Sequence, residues 1–125
     1  PDGRVLMAGG GVDTVNGESA ASAEIYDPTT GTFSPTGSMS DARDRYSAVA
    51  LADGRVLVLG GFDEFGRLLA SAELYDPNTG RFSPAGAMST IRSDFCAVLL
   101  SDGRVLVVGG YTGTWFLASA EVATP

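Results

Sequence analysis

The chain has 125 residues with 15 acidic and 8 basic side chains, which gives a net charge of −7. Every basic residue is an arginine, and there is no histidine. This composition excludes an imidazole base, an imidazole metal ligand, a Schiff-base lysine and the lysine of a phosphate loop. An acidic chain with scattered arginines is a poor partner for nucleic acid or a membrane surface. Its apolar runs fall far short of the ~20 residues of a membrane helix.

Three blocks of nearly identical sequence lie at offsets of 51 and 49 residues. Each begins with Asp-Gly-Arg-Val-Leu and ends with Gly-Gly, at residues 2–10, 53–61 and 102–110. A second block, Ala-Ser-Ala-Glu, follows each of them. Differences in length fall between Gly-Gly and Ala-Ser-Ala, which predicts a variable loop at that place in every repeat.

Each period contains short apolar runs separated by turn residues, and no stretch has sustained helical spacing. Asp53-Gly54 predicts a two-residue hairpin turn. We therefore predict an all-β fold of four-stranded antiparallel meanders, one for every ~50 residues, as in the blades of a propeller. The predicted strands lie near 4–10, 21–27, 31–35, 46–51, 55–61, 70–76, 80–84, 95–100, 104–110 and 117–122.

Counting these strands divides the chain into three blades. Blade A (1–39) lacks a first strand, blade B (40–88) is complete, and blade C (89–125) lacks a fourth strand. A propeller ordinarily closes with about four to eight blades. We therefore expect either self-association, as a homodimer that completes a ring of about five or six blades, or a longer propeller chain of which this is a section.

The order of these features resembles the kelch motif of β-propellers. A Gly-Gly pair after an apolar run is followed by a tyrosine (Tyr26, Tyr75) and then by an aromatic residue (Phe33, Phe82). The Asp-Gly-Arg-Val-Leu and Tyr-Asp-Pro elements resemble bacterial kelch repeats and the propeller of galactose-oxidase-like proteins. The resemblance implies a kelch-type propeller segment of about two and a half blades. Phe33 and Phe82 depart from the tryptophan that kelch usually has there.

The features that recur once per blade are interpreted as structural. The Gly-Gly pairs are expected where only glycine allows close packing of the backbone. Glu24, Glu73 and Glu121 occupy one mid-strand position, and we predict that Arg43 and Arg92 are the partners of these carboxylates. A glycosidase-type pair of carboxylates is the alternative.

The lone cysteine, Cys96, cannot form an internal disulfide. Because it lies in an apolar stretch between Phe95 and Ala97, we predict a small core residue. A reactive thiol is the alternative.

The long loops after each second strand share one edge with the connectors between blades, and we call this edge, with its loops and connectors, the variable edge. Aromatic residues and arginines that dominate binding hot spots collect there outside the repeat pattern. In the alternative interpretation, Phe65, Leu68 and Phe116 fold back over the blades as small satellite cores. Acidic residues at 13–18 and 63–64 offer cation ligands without the spacing of a calcium loop. The predicted binding residues are Arg43, Phe65, Arg67, Arg92, Tyr111, Trp115 and Phe116.

Two classes of function remain. We favour a non-catalytic binding or assembly module with a protein or glycan ligand on the variable edge, and no cofactor or metal. The alternative is part of a propeller enzyme, because the resemblance to galactose oxidase implies copper held by histidine and tyrosine with a Tyr–Cys cofactor. The chain has no histidine for such a site.

Overall fold

The computed structural model describes residues 2–11 and 19–125, which form ten β-strands in three antiparallel sheets. Within these residues there is no helix, and so none that is long and apolar enough to cross a membrane. The strands are β1 (Val5–Ala8), β2 (Ala23–Asp27), β3 (Thr32–Pro35), β4 (Ser47–Ala50), β5 (Val56–Leu59), β6 (Ser71–Asp76), β7 (Arg81–Ala87), β8 (Cys96–Leu99), β9 (Val105–Val108) and β10 (Ala120–Ala123).

Each sheet is an up-and-down meander in which sequential strands are hydrogen-bonded neighbours. Blade A has the order β1-β2-β3, blade B has β4-β5-β6-β7, and blade C has β8-β9-β10. Every observed strand overlaps a predicted one, so the predicted all-β fold of antiparallel meanders is confirmed. The largest difference is β7, which continues to Ala87 with a β-bulge opposite the segment between Ser71 and Glu73.

The turn between the first and second strands of blade B differs from the predicted two-residue hairpin. Leu51 and Arg55 are joined by a backbone hydrogen bond of 2.8 Å, which leaves three residues, 52–54, in the loop. Gly54 has a φ of 89° and donates to the Leu51 carbonyl. Glycine in the left-handed position after a turn is typical of three-residue hairpin loops. The Asp53 carboxylate accepts from both the backbone and the side chain of Arg55, which fixes the loop further.

The main hydrophobic core lies between blades B and C. Leu57 and Leu59 of β5 pack with Val105 and Val107 of β9, and each is at most 1% exposed. A strand covered on both faces reads as a continuous apolar run, because no position in it faces water. The Val-Leu run of β5 is such a strand, and burial of its side chains is a main source of stability. The equivalent runs β1 and β9 are each partly exposed, at Val5 and Met7 and at Val108.

Cys96 is exposed, so the prediction of a core cysteine is wrong. It shares a face of β8 with Val98, which is 49% exposed. The residue of blade B at the repeat position of Val98 is Val49, and it is only 7% exposed because β4 packs against β8 of the next blade. No described residue covers this face of β8, and the apolar neighbours of Cys96 in the sequence therefore do not enclose it.

Candidate binding face

Arg43 and Arg92 lie inside the protein, so their assignment to the binding residues needs correction. Arg43 is fully buried and Arg92 is 1% exposed. Each guanidinium forms an ion pair with the mid-strand glutamate of its own blade, Arg43 with Glu73 at 3.2 Å and Arg92 with Glu121 at 3.1 Å. The predicted Glu–Arg pairing is confirmed for these two blades. Both guanidinium groups are buried and hydrogen-bonded within the protein, so neither is available to a ligand at the surface.

Each buried arginine connects two consecutive blades. The carbonyl of Arg43 accepts from the N–H of Gly10 in blade A at 2.7 Å, while its side chain donates to the carbonyl of Gly60 in blade B at 2.9 Å. Arg92 makes the same pair of contacts one blade further on, to Gly61 and Gly109. The Gly-Gly pairs are therefore docking points for the connectors, as their structural interpretation requires.

The glutamates remain ionised in these pairs. Burial raises the pKa of Glu73, but hydrogen bonds from the backbone and hydroxyl of Ser40 and from Arg43 outweigh it, and the pKa lies below its ordinary value. The same combination, with donors from Ser89 and Arg92, lowers the pKa of Glu121. A carboxylate held as an anion by several donors is a structural anchor, which argues against its use as the proton donor of a glycosidase.

The loop of blade B is organised around one carboxylate. Asp63 is 6% exposed and accepts hydrogen bonds from the backbone of Phe65 and from the backbone and side chain of Arg67. Burial raises the pKa of Asp63, but these hydrogen bonds outweigh it and hold the pKa below its ordinary value. The Asp63 oxygens are occupied by the loop itself. Among the described residues there is no group of acidic side chains that fits a metal ion, and Asp13, Asn16 and Glu18 lie outside those residues.

One aromatic residue of this loop, Phe65, faces solvent. Phe65 is 72% exposed, and the Arg67 guanidinium lies 4.9 Å from the centre of its ring, which is a cation–π geometry. Leu68, in contrast, is half-buried and lies beside Gly113 of the neighbouring loop. The satellite-core interpretation therefore fits Leu68 and does not fit Phe65.

The loop of blade C presents an aromatic pair. The rings of Tyr111 and Phe116 have their centres 5.2 Å apart, and Phe116 is 88% exposed. Trp115 is 72% exposed at the end of a turn over residues 112–115, which Thr112 closes by hydrogen bonds with the Trp115 backbone. Large apolar side chains held in the open by a hydrogen-bonded loop are characteristic of binding surfaces.

A cavity of about 550 Å³, which we call the loop pocket, joins this loop to the two connectors. Backbone bridges between Asp44 and Phe62 and between Ser93 and Tyr111 bring connectors and loops to one edge, as the meander topology predicted. The pocket is lined by Arg45, Asp94, Tyr111, Thr114, Phe116 and Leu117.

Arg45 and Asp94 are the charged residues of the pocket, and neither was among the predicted binding residues. They occupy the same position in their repeats, and both have left-handed backbones, with φ of 50° and 52°. This conformation is uncommon for residues other than glycine, and when it occurs it often marks a functional site. A contact of 3.1 Å from the Asp94 N–H to the Arg45 carbonyl brings the two together. The only signal in the sequence was that a repeat position carries Arg in one copy and Asp in the other.

The structure thus divides the predicted binding residues into separate groups. Tyr111 and Phe116 line the loop pocket, Phe65 and Arg67 form an exposed pair in the loop of blade B, and Trp115 stands at the end of the 112–115 turn. Their role in binding remains a prediction.

Comparison with known proteins gives one family match. The Kelch motif matches residues 45–89, which include all four strands of blade B. No curated protein matches the chain at a significant level.

Proposed function

Because the chain is built of kelch-type β-propeller repeats, we propose that it is a non-catalytic protein-interaction module whose ligand binds on the variable edge. The observation that carries this proposal is the loop pocket. It joins an exposed cation, Arg45, to the aromatic pair of Tyr111 and Phe116 on a rigid sheet scaffold. Kelch repeats commonly serve as interaction modules, which supports the same choice.

The chemistry of the pocket favours a short extended segment of a partner protein. Tyr111 and Phe116 offer an apolar platform, while Arg45 and Asp94 offer one charge of each sign for polar groups of the segment. The Arg45 side chain is well exposed, and the Asp44 carboxylate comes no closer to it than 3.9 Å. The guanidinium is therefore available to a carboxylate of the ligand. A glycan that stacks on the aromatic platform is the second ligand class on this surface.

Selection from a displayed library of short random peptides tests the proposal. Peptides selected on the wild-type chain should lose binding to Phe116→Ala and to Arg45→Ala, and should retain it with Glu64→Gln, an exposed substitution outside the pocket. Peptides that bind all variants equally, or no enrichment at all, would contradict the proposal. A parallel glycan array distinguishes the two ligand classes.

We also propose that the chain works within a larger assembly, either a homodimer of two arcs or a longer propeller. Apolar side chains exposed on both end blades support this, namely Val5 and Met7 on blade A and Val98 and Val108 on blade C. Light scattering of the purified chain tests the dimer. A particle of about twice 12.8 kDa supports it, whereas a well-folded monomer of 12.8 kDa contradicts self-association.

A further inference from the structure

The connectors that lead into blades B and C follow the same path along the variable edge. Each contains a buried arginine, then a residue bridged to the loop of its own blade, and then an exposed residue. In this order the residues are Arg43, Asp44 and Arg45 before blade B, and Arg92, Ser93 and Asp94 before blade C. The first two residues of each set hold the connector in place, and the third is left exposed.

The third residue has an unfavourable backbone conformation in both connectors. Arg45 and Asp94 have φ of 50° and 52°, and no other non-glycine residue in 2–11 or 19–125 has a positive φ. Glycine takes this conformation most easily, and an arginine has no local hydrogen bond of its own to offset the cost. Neither connector has glycine there. The side chain at this position therefore has a role other than folding, as is common where backbone strain is retained.

Arg45 and Asp94 carry opposite charges on adjoining backbones, but their side chains do not pair with each other. The Asp94 N–H donates to the Arg45 carbonyl at 3.1 Å, and none of the ion pairs among the described residues joins the two side chains. Arg45 approaches the Asp44 carboxylate only to 3.9 Å, and one oxygen of Asp94 accepts from the Ser93 hydroxyl at 3.0 Å. Both charged groups thus keep hydrogen-bonding capacity for a ligand.

We propose that Arg45 and Asp94 are specificity-determining residues, each of which recognises one residue of opposite charge in the ligand. The inference rests on the proposed function and adds to it the charge pattern of the partner segment. That segment carries an acidic residue, which pairs with the Arg45 guanidinium, and a basic residue two positions away, which pairs with the Asp94 carboxylate. Residues two apart lie on one face of an extended segment, about 6–7 Å from each other. This spacing suits two charged side chains on adjoining backbones.

The position can carry different charges because the contacts that hold the connectors belong to its neighbours. The same bridge precedes it in both copies, between Asp44 and Phe62 and between Ser93 and Tyr111. Arginine in one copy and aspartate in the other leave φ almost unchanged. Both positions lie within the contacts of blades B and C, so the inference holds for a dimer and for a longer propeller alike.

The central test is the double variant Arg45→Asp/Asp94→Arg, which we call the exchanged variant. Each connector then carries the side chain that the other already holds at this position, and the net charge stays at −7. Peptides are selected from a displayed random library on the wild-type chain, and their affinities are measured by fluorescence anisotropy. Each peptide is also synthesised with its acidic and basic residues exchanged. The single variants Arg45→Gln and Asp94→Asn remove one charge at a time, and Glu64→Gln is the control.

We expect the selected peptides to contain the acidic and basic residues two positions apart. The exchanged variant should bind them about ten-fold or more weakly than the wild type, because two attractions become two repulsions. It should recover the binding of peptides whose charges are exchanged. Arg45→Gln and Asp94→Asn should each weaken binding by about three-fold, as for an exposed ion pair, and Glu64→Gln should bind as the wild type does.

A measurement of stability separates recognition from a structural role. Arg45→Gly introduces the residue that tolerates a positive φ best, so it should not lower the midpoint of thermal unfolding. Its affinity for the selected peptides should nevertheless fall by about three-fold or more. A lower midpoint with unchanged affinity would make Arg45 a structural residue and overturn the assignment.

Two further results would overturn the inference and leave the proposed function standing. The first is a set of peptides whose binding depends on Phe116 and Arg45 but is unchanged by Asp94→Asn, a result that does not require the exchanged variant to fold. The second is a folded exchanged variant that does not bind the charge-exchanged peptides. No enrichment of peptides, or binding that Phe116→Ala leaves intact, would contradict the proposed function and the inference with it.

Discussion

Blades A and B carry nearly the same sequence blocks but differ sharply in their surroundings. Met7 is 50% exposed where Val58 is 1% exposed, and Glu24 is exposed where Glu73 is 3% exposed. Both blades nonetheless form the same antiparallel pairing, with Met7 opposite Glu24 and Val58 opposite Glu73. The comparison teaches that turns and strand pattern form the sheet, while the neighbouring blade decides which of its residues become core and which polar groups become anchors.

The largest expected loss of stability comes from unpairing the buried glutamate, Glu73, whereas a change at the exposed Glu24 should have little effect. Arg43→Ala leaves Glu73 buried without its charge partner, and breaking a buried pair in this way costs about 3–5 kcal/mol. Glu24→Ala, at the exposed position, should change the free energy of unfolding by less than about 0.5 kcal/mol. Urea denaturation of both variants measures the difference. Equal costs would show that exposure does not distinguish the two blades.

The Gly-Gly pairs give a second matched comparison. Gly10 and Gly61 both have positive φ, 100° and 88°. A methyl group at Gly61 would meet the backbone carbonyl of Asp44 and the Cβ of Tyr46, whereas one at Gly10 would have no atom of residues 2–11 or 19–125 within 4 Å. Gly10→Ala should cost about 1–2 kcal/mol for the left-handed backbone alone. Gly61→Ala should cost about 1–3 kcal/mol more, because it also overpacks the site.

Thermal unfolding of both alanine variants tests this second comparison. If the two variants lost the same stability, the close approach of connector and blade at Gly61 would be refuted.

Blade C extends the comparison to identical side chains. Val49 and Val98 occupy the same repeat position, at 7% and 49% exposure. Val49→Ala removes two buried carbon groups and should cost about 1.5 kcal/mol at ~0.8 kcal/mol each. Val98→Ala should cost less than half of that, because about half of its surface already contacts water. Chemical denaturation of the two variants measures both changes in the free energy of unfolding. A larger loss of stability for Val98→Ala than for Val49→Ala would indicate that another molecule covers blade C in solution.

Acid should weaken blade B through Glu73. Because the folded protein holds its pKa below the ordinary 4.5, Glu73 adds stability above that pH. This contribution is lost as the pH falls below 4.5 and through the lowered pKa of the folded state. The variant Glu73→Gln should therefore be less stable at neutral pH and lose less stability between neutral and acidic pH than the wild type. Denaturation across that range is the measurement, and parallel pH profiles would contradict the role of the ion pair.

The smallest effect on stability is expected at the variable edge. Trp115 and Phe116 are 72% and 88% exposed, so replacing both by alanine should change the free energy of unfolding by less than about 0.5 kcal/mol each. Binding of a peptide selected on the wild-type chain should fall by about ten-fold or more, as for a binding hot spot. A matching loss of stability would place these residues in the core after all.

The repeat made much of this protein predictable. Strand positions and the Glu–Arg pairs follow from the 49-residue offset, because a side chain that recurs at one place in every sheet is performing the same structural task each time. The exposure of Cys96 and the presence of Arg45 and Phe116 in one pocket did not follow. Both depend on contacts between segments far apart in the chain, on which the local pattern carries no information.

What the sequence determined by itself was therefore local: where strands lie, between which residues the chain turns, and which positions repeat. Short-range forces decide these features, namely the backbone preferences of glycine and proline and the pattern of apolar residues. The tertiary structure alone decided that Arg43 is an internal connection between blades, while Glu24, with the same repeat position as Glu73, faces solvent. Burial depends on the neighbour that packs against a face, and the same residue pattern on blades A and B meets different neighbours.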